Sequence, residues 1–333
     1  MSTRQTLVTG ATGFIGSSLV RELLKDGLEV KVLVRERSDT RNIDGLDVEK
    51  VFGDIRDGAS VKSALKGCDT FYQTAALYAF WAPDSKIFYD INVEGTKIAL
   101  NAALKQGVEK VVYTSTIAAV GYYGADNPAN EDVEFNLWDT GDHYTRSKHL
   151  GEVEAKKFCE KGLPLVIVNP AGFIGVRDIK PTPSGKMIID VVEKKMPGYI
   201  EGGINLVDVE DVARGHILAA QKGRIGERYI LGNENLPIKD YFELIGKVAG
   251  VEPPRFKIPY SLAIMLGYGY QFLSSITRKP PVLTAPMVRL GSKYLYFNCS
   301  KAIQELGYPQ TPIRTTIEKA VSWFKENGYI KGV

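Results

Sequence analysis

TLVTGATGFIGSSLV, residues 6–20, decides the reading of this chain. A short strand-like run, TLVT, meets three glycines, Gly10, Gly13 and Gly16, and then an apolar-periodic helix. Glycine loses more conformational freedom on folding than any other residue. Three of them at one strand–helix junction therefore point to a backbone that something must approach closely. A strand, a tight turn and a helix start also form an anion site, because the first N–H groups of the helix are free and lie at the positive end of its dipole. In that reading Gly10 permits the turn, Gly13 admits a pyrophosphate and Gly16 lets the helix pack on the strand. The spacing is G-x-x-G-x-x-G rather than G-x-G-x-x-G, so context carries the match: the motif follows a strand and opens a helix. Gly10, Thr12, Gly13, Phe14, Ile15 and Gly16 are the candidate contacts to a dinucleotide. An ordinary glycine-rich turn is the alternative.

Outward from this stretch, strand and helix alternate. LEVKVLVR (28–35), VEKVFGD (48–54), DTFYQTAA (69–76), KVVYTST (110–116) and PLVIVNPAGFIG (164–175) read as strands. ASVKSALKG (59–67), NVEGTKIALNAALKQG (92–107) and YTRSKHLGEVEAKKFCEKG (144–162) read as helices. Such alternation predicts an α/β chain with a Rossmann-type, doubly wound parallel sheet. Beyond residue 175 the pattern is irregular and richer in Pro, Gly and aromatics, and KPTPSGK (180–186) and EPPRFKIP (252–259) read as loops. The expected division is a dinucleotide-binding domain over 1–175, with returns near 203–232, and a smaller C-terminal substrate-binding α/β cap over 176–333.

The totals narrow the classes. Hydrophobic residues make up 44% and charged residues 24%, an ordinary soluble composition. The net charge of +3 is spread along the chain, which argues against a nucleic-acid partner. Cys68, Cys159 and Cys299 form no C-x-x-C pair, and His143, His149 and His216 form no ligand motif, so neither a disulfide framework nor a metal site is expected. No basic-then-apolar leader precedes the first strand, and a cytoplasmic location is expected. IPYSLAIMLGYGYQFLSSIT (258–277) is uncharged, but Pro259, Gln271, two glycines, three serines and three tyrosines dilute it. No integral membrane span is expected there. A helix packed within the C-terminal domain is the first reading and a surface helix touching lipid the second.

The strand over 28–35 should end near the ribose of a bound dinucleotide, where an acidic residue would accept the 2′-hydroxyl of NAD. This chain has Arg35, then Arg37, Ser38 and Arg41. A guanidinium pairs with a 2′-phosphate, so NADP(H) is expected in preference to NAD(H). A solvated basic loop is the other reading. Asp54, with Ile55 beside it, either receives the adenine amino group or caps a loop.

HYTRSKHLGE (143–152) carries the candidate chemistry. Tyr144 and Lys148 stand four apart, on one face of a helix. A lysine cation beside a phenol is expected to lower its pKa and fit it for acid–base work. Lys148 would also hold the nicotinamide ribose. A second hydroxyl should steady the substrate oxygen, and Thr114, Ser115 and Thr116 end a strand where such sites collect. Strand alternation places Thr114 and Thr116 on one side and Ser115 on the other.

GATGFIG, YTST and YTRSK, in this order, resemble an extended short-chain dehydrogenase/reductase of the NAD-dependent epimerase/dehydratase superfamily. The resemblance extends over essentially the whole chain. AALYAFWAPD, VNPAGFIGVRDIKPTPSGKMI and RYILGNENL look most like hopanoid-associated sugar epimerases, with dihydroflavonol-4-reductase-like enzymes as the neighbouring group. The resemblance implies an NAD(P)-dependent oxidoreductase or epimerase. It puts Thr116 where the family usually has its catalytic serine, leaving Ser115 as the fallback. It gives Asn92 a structural and proton-relay role, lines the cofactor with Ala75 and Ala76, and borders the nicotinamide with Asn169 and Pro170. It also implies a homodimer formed through a four-helix bundle of the helices near 92–106 and 143–161.

Two activities remain open at this point, beside a catalytically idle dinucleotide-binding protein that senses redox state through a partner, against which intact Tyr144 and Lys148 argue. The arginine cluster favours net reduction with NADPH of a ketone or aldehyde, or the reverse oxidation of a secondary alcohol. Leu77, Tyr78, Phe80, Trp81, Tyr122 and Tyr123 are the candidate lining for a small, ring-bearing substrate. Arg177, Lys180 and Lys186 would suit the diphosphate of a nucleotide sugar, in an epimerase or dehydratase with retained NAD.

Overall fold

The computed structural model describes residues 5–140 and 142–331; the outermost residues of the two expected domains lie outside it. In chain order its strands are β1 Gln5–Thr9, β2 Glu29–Val34, β3 Glu49–Phe52, β4 Thr70–Gln73, β5 Lys110–Thr114, β6 Leu165–Pro170, β7 Gly172–Ile174, β8 Gly203–Asp208, β9 Arg228–Leu231, β10 Glu234–Pro237 and β11 Tyr294–Leu295. The helices are α1 Phe14–Lys25, α2 Gly58–Ala64, α3 Lys86–Tyr89, α4 Thr96–Gln106, α5 His143–Glu160, α6 Pro183–Val192, α7 Val209–Lys222, α8 Ile238–Ala249, α9 Tyr260–Thr277, α10 Ala285–Gly291 and α11 Ile313–Glu326.

Seven strands form one wholly parallel sheet in the order β3-β2-β1-β4-β5-β6-β9. Its strands are apolar on both sides because helices cover both faces. Val8, Val32, Tyr72 and Val112 point into one core with residues of α1 and α7. Leu7, Phe71, Val111 and Tyr113 point into the other, with residues of α2, α4 and α5. The chain winds from β1 outward to β3, then crosses back to β4 and winds the other way. The switch point lies between β1 and β4, and a crevice opens there at the carboxyl ends of the strands.

A second, smaller sheet is built around β8, which pairs with β10 antiparallel and with β7 and β11 in parallel. Helices α6, α8 and α11 cover it through Ile188, Ile245, Ile317 and Phe324. The segment expected to return near 203–232 is therefore shared. β8 belongs to the small sheet, α7 packs on α1, and β9 enters the large sheet beside β6.

Two expectations need correction. KPTPSGK is not all loop: the Thr182 hydroxyl accepts from the Gly185 N–H and caps α6, with Pro183 in its first turn. Proline suits that position, where no N–H partner is lost. The helix expected to be packed over 258–277 does form as α9, but only Ala263, Gly267 and Ser274 of it are buried. Its larger side chains stand in the open.

The helix expected over 92–107 forms in two parts, a π-helical turn over Asp90–Gly95 and then α4. The wider turn brings the Asn92 carbonyl against α5 at Gly151, where a Cβ would lie 2.4 Å from that oxygen and 2.6 Å from the Tyr113 hydroxyl. Replacing Gly151 by alanine should therefore destabilise the protein, by about 1–2 kcal/mol after the helix-propensity gain is subtracted from the overpacking penalty. The same change at Gly269, where a Cβ meets nothing within 4 Å, should stabilise it. That gain should be about 0.5–1 kcal/mol. Urea unfolding of the two variants checks both signs.

Candidate active site

The crevice at the switch point is lined by the ends of β1, β4 and β5 and the first turns of α1 and α5, and holds about 440 Å³. Gly10 has φ +68°, and a Cβ there would lie 2.8 Å from the Ala75 backbone nitrogen. At Gly16 a Cβ would lie 2.2 Å from the Gly10 carbonyl oxygen, so the first turn of α1 sits directly on the turn that leaves β1. Gly13 occupies the N-cap of α1, with no side-chain cap and no acidic residue in the first turn. The first N–H groups of α1 thus face the crevice without a partner from the helix's own cap, which suits a phosphate.

The loop after β2 is folded over this turn. Arg21 donates to the carbonyls of Ser17 (3.0 Å) and Asn42 (2.8 Å), and the Asn42 amide donates to the Arg177 carbonyl at 3.3 Å. The clamp puts Arg35 and Ser38 on the crevice wall. Arg35 makes no ion pair among the described residues, whereas Arg41 is held by Asp39 and Arg56 by Asp54. Arg37 is exposed and lies off the wall. Asp54 is on the wall, and its hydrogen bond from Arg56 holds its carboxyl below the usual range despite part burial. Asp54 Oδ1 also accepts from the Arg56 N–H at 2.9 Å and so caps the loop after β3, while the cap of α2 is Asp57, which accepts from Ala59 and Ser60.

Tyr144 and Lys148 lie in the first turns of α5, which Asp142 caps by accepting from the N–H groups of Tyr144 (2.9 Å) and Thr145 (3.2 Å). Both side chains are buried and both line the crevice. Lys148 Nζ donates to the Thr114 carbonyl at 2.7 Å, and burial pushes its pKa down to about 8. The expected lowering of the Tyr144 pKa is not what this arrangement produces. Burial raises it, the nearby Thr116 hydroxyl offsets part of the rise, and the Asp142 carboxylate adds to it. The lysine charge is directed to the Thr114 carbonyl instead.

The three hydroxyls at the end of β5 are sorted by their partners. Thr114 Oγ1 lies 2.9 Å from His216 Nε2, and His216 Nδ1 lies 2.7 Å from the Val212 carbonyl. Burial pushes His216 down to about 4, so the ring is neutral. Its Nδ1 must donate to the carbonyl, and Nε2 therefore accepts the proton of Thr114. Ser115 is buried on the α5 side, where its hydroxyl is close enough to the Glu152 carboxylate to help hold the Glu152 pKa down but makes no well-formed hydrogen bond. Thr116 lies beyond the strand, where it caps a 3-10 turn by accepting from the Ala118 N–H at 3.2 Å. β5 ends at Thr114, so strand alternation does not govern Thr116, and both residues line the crevice. Thr116 is the hydroxyl beside Tyr144.

Ala75, Ala76, Leu77, Ile55 and Pro170 line the crevice, as do Thr12, Phe14 and Ile15. Asn169 does not. It is fully buried behind the wall, and its amide donates to the Thr116 carbonyl (3.0 Å) and the Glu152 carboxylate (2.8 Å). Glu152 in turn pairs with Arg228 of β9 at 3.0 Å. Burial alone would raise the Glu152 pKa, but Arg228 and Lys156 outweigh it. Asn92 is also buried outside the crevice. It accepts from the Leu77 N–H at 2.7 Å and donates to the Leu77 carbonyl and to Ser147, tying the loop after β4 to α5. Of the candidate substrate residues, Leu77 and Tyr78 reach the crevice. Trp81 lies off the wall, Tyr122 is bonded by Lys293, and Arg177 pairs with Glu210 at 2.9 Å.

Sequence reasoning missed Phe173, Asn42, Arg56 and Asp178 on the wall, and His216 behind it. Phe173 and Asp178 lie close to Arg177 in the stretch VNPAGFIGVRDIK, residues 168–180. Nothing local singled out Asn42 or His216. The Tyr78 ring lies 5.0 Å from that of Tyr144 and 5.8 Å from that of Phe173, and Phe80 lies 6.0 Å from Tyr144. An aromatic wall therefore surrounds the phenol.

A family model described as the NAD dependent epimerase/dehydratase family matches residues 6–232. The chain belongs to that family. It is similar to a Synechocystis sp. protein provisionally named dihydroflavonol 4-reductase, with 38% identity over 97% of this chain and 95% of that one. It is 34% identical to sterol demethylase protein B of Methylococcus capsulatus, over 98% and 99% of the two chains. The crystal structure of gox2253 matches with a TM-score of 0.87 at 40% identity, over 98% of this chain and 99% of that one. Membership in the family, with the parallel sheet and its glycine turn, makes the protein an NAD(P)-dependent enzyme of the short-chain dehydrogenase/reductase type.

Asp178 gives this site a measurable pH signature. Its Oδ2 accepts from the Thr182 N–H and hydroxyl, both at 2.8 Å, while Oδ1 has no partner, and burial pushes its pKa from 3.8 up to about 6. Between those two values the folded chain holds more protons than the unfolded chain, so stability falls as pH rises. The penalty is complete above pH 6 and amounts to about 3 kcal/mol at most. Asp178→Asn should therefore be more stable than the parent at neutral pH by up to that amount. The advantage should shrink to nothing near pH 4, and urea melts across this range check it.

Proposed function

We propose that the protein is an NADP-dependent oxidoreductase that reduces the ketone or aldehyde of a small ring-bearing compound, or oxidises the corresponding secondary alcohol. The observation that carries this reading is the unpaired Arg35 on the crevice wall, at the end of β2, where a dinucleotide's ribose would lie. The cradle suits a dinucleotide: only a backbone without a Cβ fits at Gly16, and the α1 N-terminus is uncapped. Gly10 to Gly16 would hold the pyrophosphate, and Arg35 and Ser38 the 2′-phosphate. Asp54 and Ile55 would border the adenine, with Ala75, Ala76, Thr114 and Pro170 along the remaining path. When bound, the nicotinamide supplies or accepts a hydride at the substrate carbon.

The chain's own groups manage the proton. Burial keeps the Tyr144 phenol protonated, the form that donates to a carbonyl oxygen in the reducing direction. Thr116 is the hydroxyl placed to steady that oxygen, because the proton of Thr114 is taken by His216. Lys148 is fixed by the Thr114 carbonyl and lies where it would hold the cofactor ribose. Asn92 and Asn169 act as positioning residues. Tyr78, Phe80 and Phe173 give the substrate an apolar, flat-faced surrounding. The dihydroflavonol and sterol in the names of two relatives are ring compounds, which supports this substrate class. A cytoplasmic homodimer joined through α4 and α5 is part of the proposal.

The second reading, an epimerase with retained NAD, draws on the family's name and on Lys180 at the crevice. Calorimetric titration with NADPH and NADH separates the two. The first reading expects tight NADPH binding that falls about 10–100-fold in Arg35→Ala, the value of a lost charge-assisted contact, with NADH binding unchanged. Preference for NADH would put the epimerase first. Tyr144→Phe should lower turnover by about 10²–10⁴-fold while leaving NADPH affinity intact. A variant as fast as the parent would remove Tyr144 from the chemistry.

A further inference from the structure

Among the described residues, seventeen large apolar side chains stand exposed, and eleven of them fall between residues 256 and 282. They belong to α9 and its flanks. A helix that is apolar all round is ordinarily buried in a core or in lipid. This one touches the protein through Ala263, Gly267 and Ser274, and a Cβ on Gly267 would lie 2.7 Å from the Ala285 backbone nitrogen of α10. Leu262, Met265, Leu266, Phe272, Leu273 and Ile276 recur at helical spacing and form one stripe turned away from that contact. Phe272 and Ile276 are 67% and 66% exposed. α9 is not long and apolar enough to cross a membrane.

The unpaired charge around this stripe is of one sign. No Asp or Glu occurs between Glu252 and Glu305, while Arg255, Lys257, Arg278, Lys279, Arg289 and Lys293 bracket α9 at both ends. Arg255 pairs with Glu252 and Lys257 with Glu201. Arg278 and Lys279 make no ion pair among the described residues. Arg289 lies over the Tyr268 ring, 5.8 Å from its centroid. Tyrosines at 260, 268 and 270 flank the stripe, the residue type that favours a lipid–water boundary. A second copy of the chain is a poor occupant. Parallel pairing brings Arg278 and Lys279 against the same cations of the copy, and antiparallel pairing offers them only Glu252 and Glu201, whose charges Arg255 and Lys257 already take up.

We propose that α9 and its flanks are a docking face that lies in the surface of an anionic phospholipid bilayer without crossing it. The apolar stripe enters the acyl boundary, and Arg278, Lys279 and Arg289 meet the lipid phosphates. α10, which packs on α9, also packs against the turn Trp138–Thr140 shortly before α5. The docked face is therefore joined to the element that carries Tyr144. The proposal does not rest on the chemistry assigned to the crevice.

The test is flotation of the full chain with vesicles of phosphatidylcholine, alone and mixed with phosphatidylglycerol. The parent should float with the mixed vesicles and far less with the neutral ones. Arg278→Gln with Lys279→Gln should weaken that partitioning about twentyfold, and Phe272→Ser with Ile276→Ser about tenfold or more. These side chains are exposed, so both variants should keep the parent's circular dichroism and NADPH affinity. An absence of vesicle binding, or binding that both double variants leave unchanged, would overturn the proposal. So would a dimer in sedimentation velocity that Phe272→Ser with Ile276→Ser takes apart, since the face would then belong to a second copy.

Discussion

The first turn of α1 sits so close to the Gly10 carbonyl that no side chain fits between them, and the rest of the site depends on that contact. It puts the uncapped end of a helix at the point where the sheet reverses its winding. The free N–H groups, the positive end of the dipole and the open crevice then coincide. Arg21 and Asn42 extend the same arrangement by drawing the loop after β2 over the turn, which sets Arg35 at its rim. One steric demand, two glycines deep, thus fixes where the free N–H groups open and which cation stands at the rim.

The opposite wall is held by a line of buried polar groups. Arg228 bonds Glu152, Glu152 accepts from Asn169, and Asn169 donates to the Thr116 carbonyl. His216 fixes Thr114 from the other face of the sheet. The hydroxyls at the end of β5 therefore have assigned roles. The one nearest the phenol is the one that the network positions through its backbone.

Much of this was legible in the chain. Glycine spacing, strand–helix alternation and the Tyr144–Lys148 interval are local patterns, and they identified the sheet, the family and the crevice. Their limit is range. Asn169 reads as a cofactor neighbour from its place after β6, but its side chain is claimed by Glu152, seventeen residues away. Arg177 reads as a substrate cation, but Glu210 takes it. The pKa of Tyr144 followed from sequence only while the phenol was imagined in water, and burial reverses the direction. α9 reads as a core helix by composition, since composition does not say whether a core is there to receive it.

β9 enters the sheet from the far side of the small domain, and with it comes Arg228, the counter-ion of a glutamate that the chain has buried some eighty residues earlier. As the chain leaves the ribosome, the first six strands can assemble, but Glu152 then has only Lys156, 3.5 Å away at the helix surface, and lacks the guanidinium that completes its pairing. Removing one partner of a buried ion pair costs up to about 3–5 kcal/mol, a large share of what holds a domain together. The N-terminal half is thus a provisional object during synthesis. It is made permanent when a residue of the second half arrives to neutralise it, so the two halves of the gene product are obliged to mature as one.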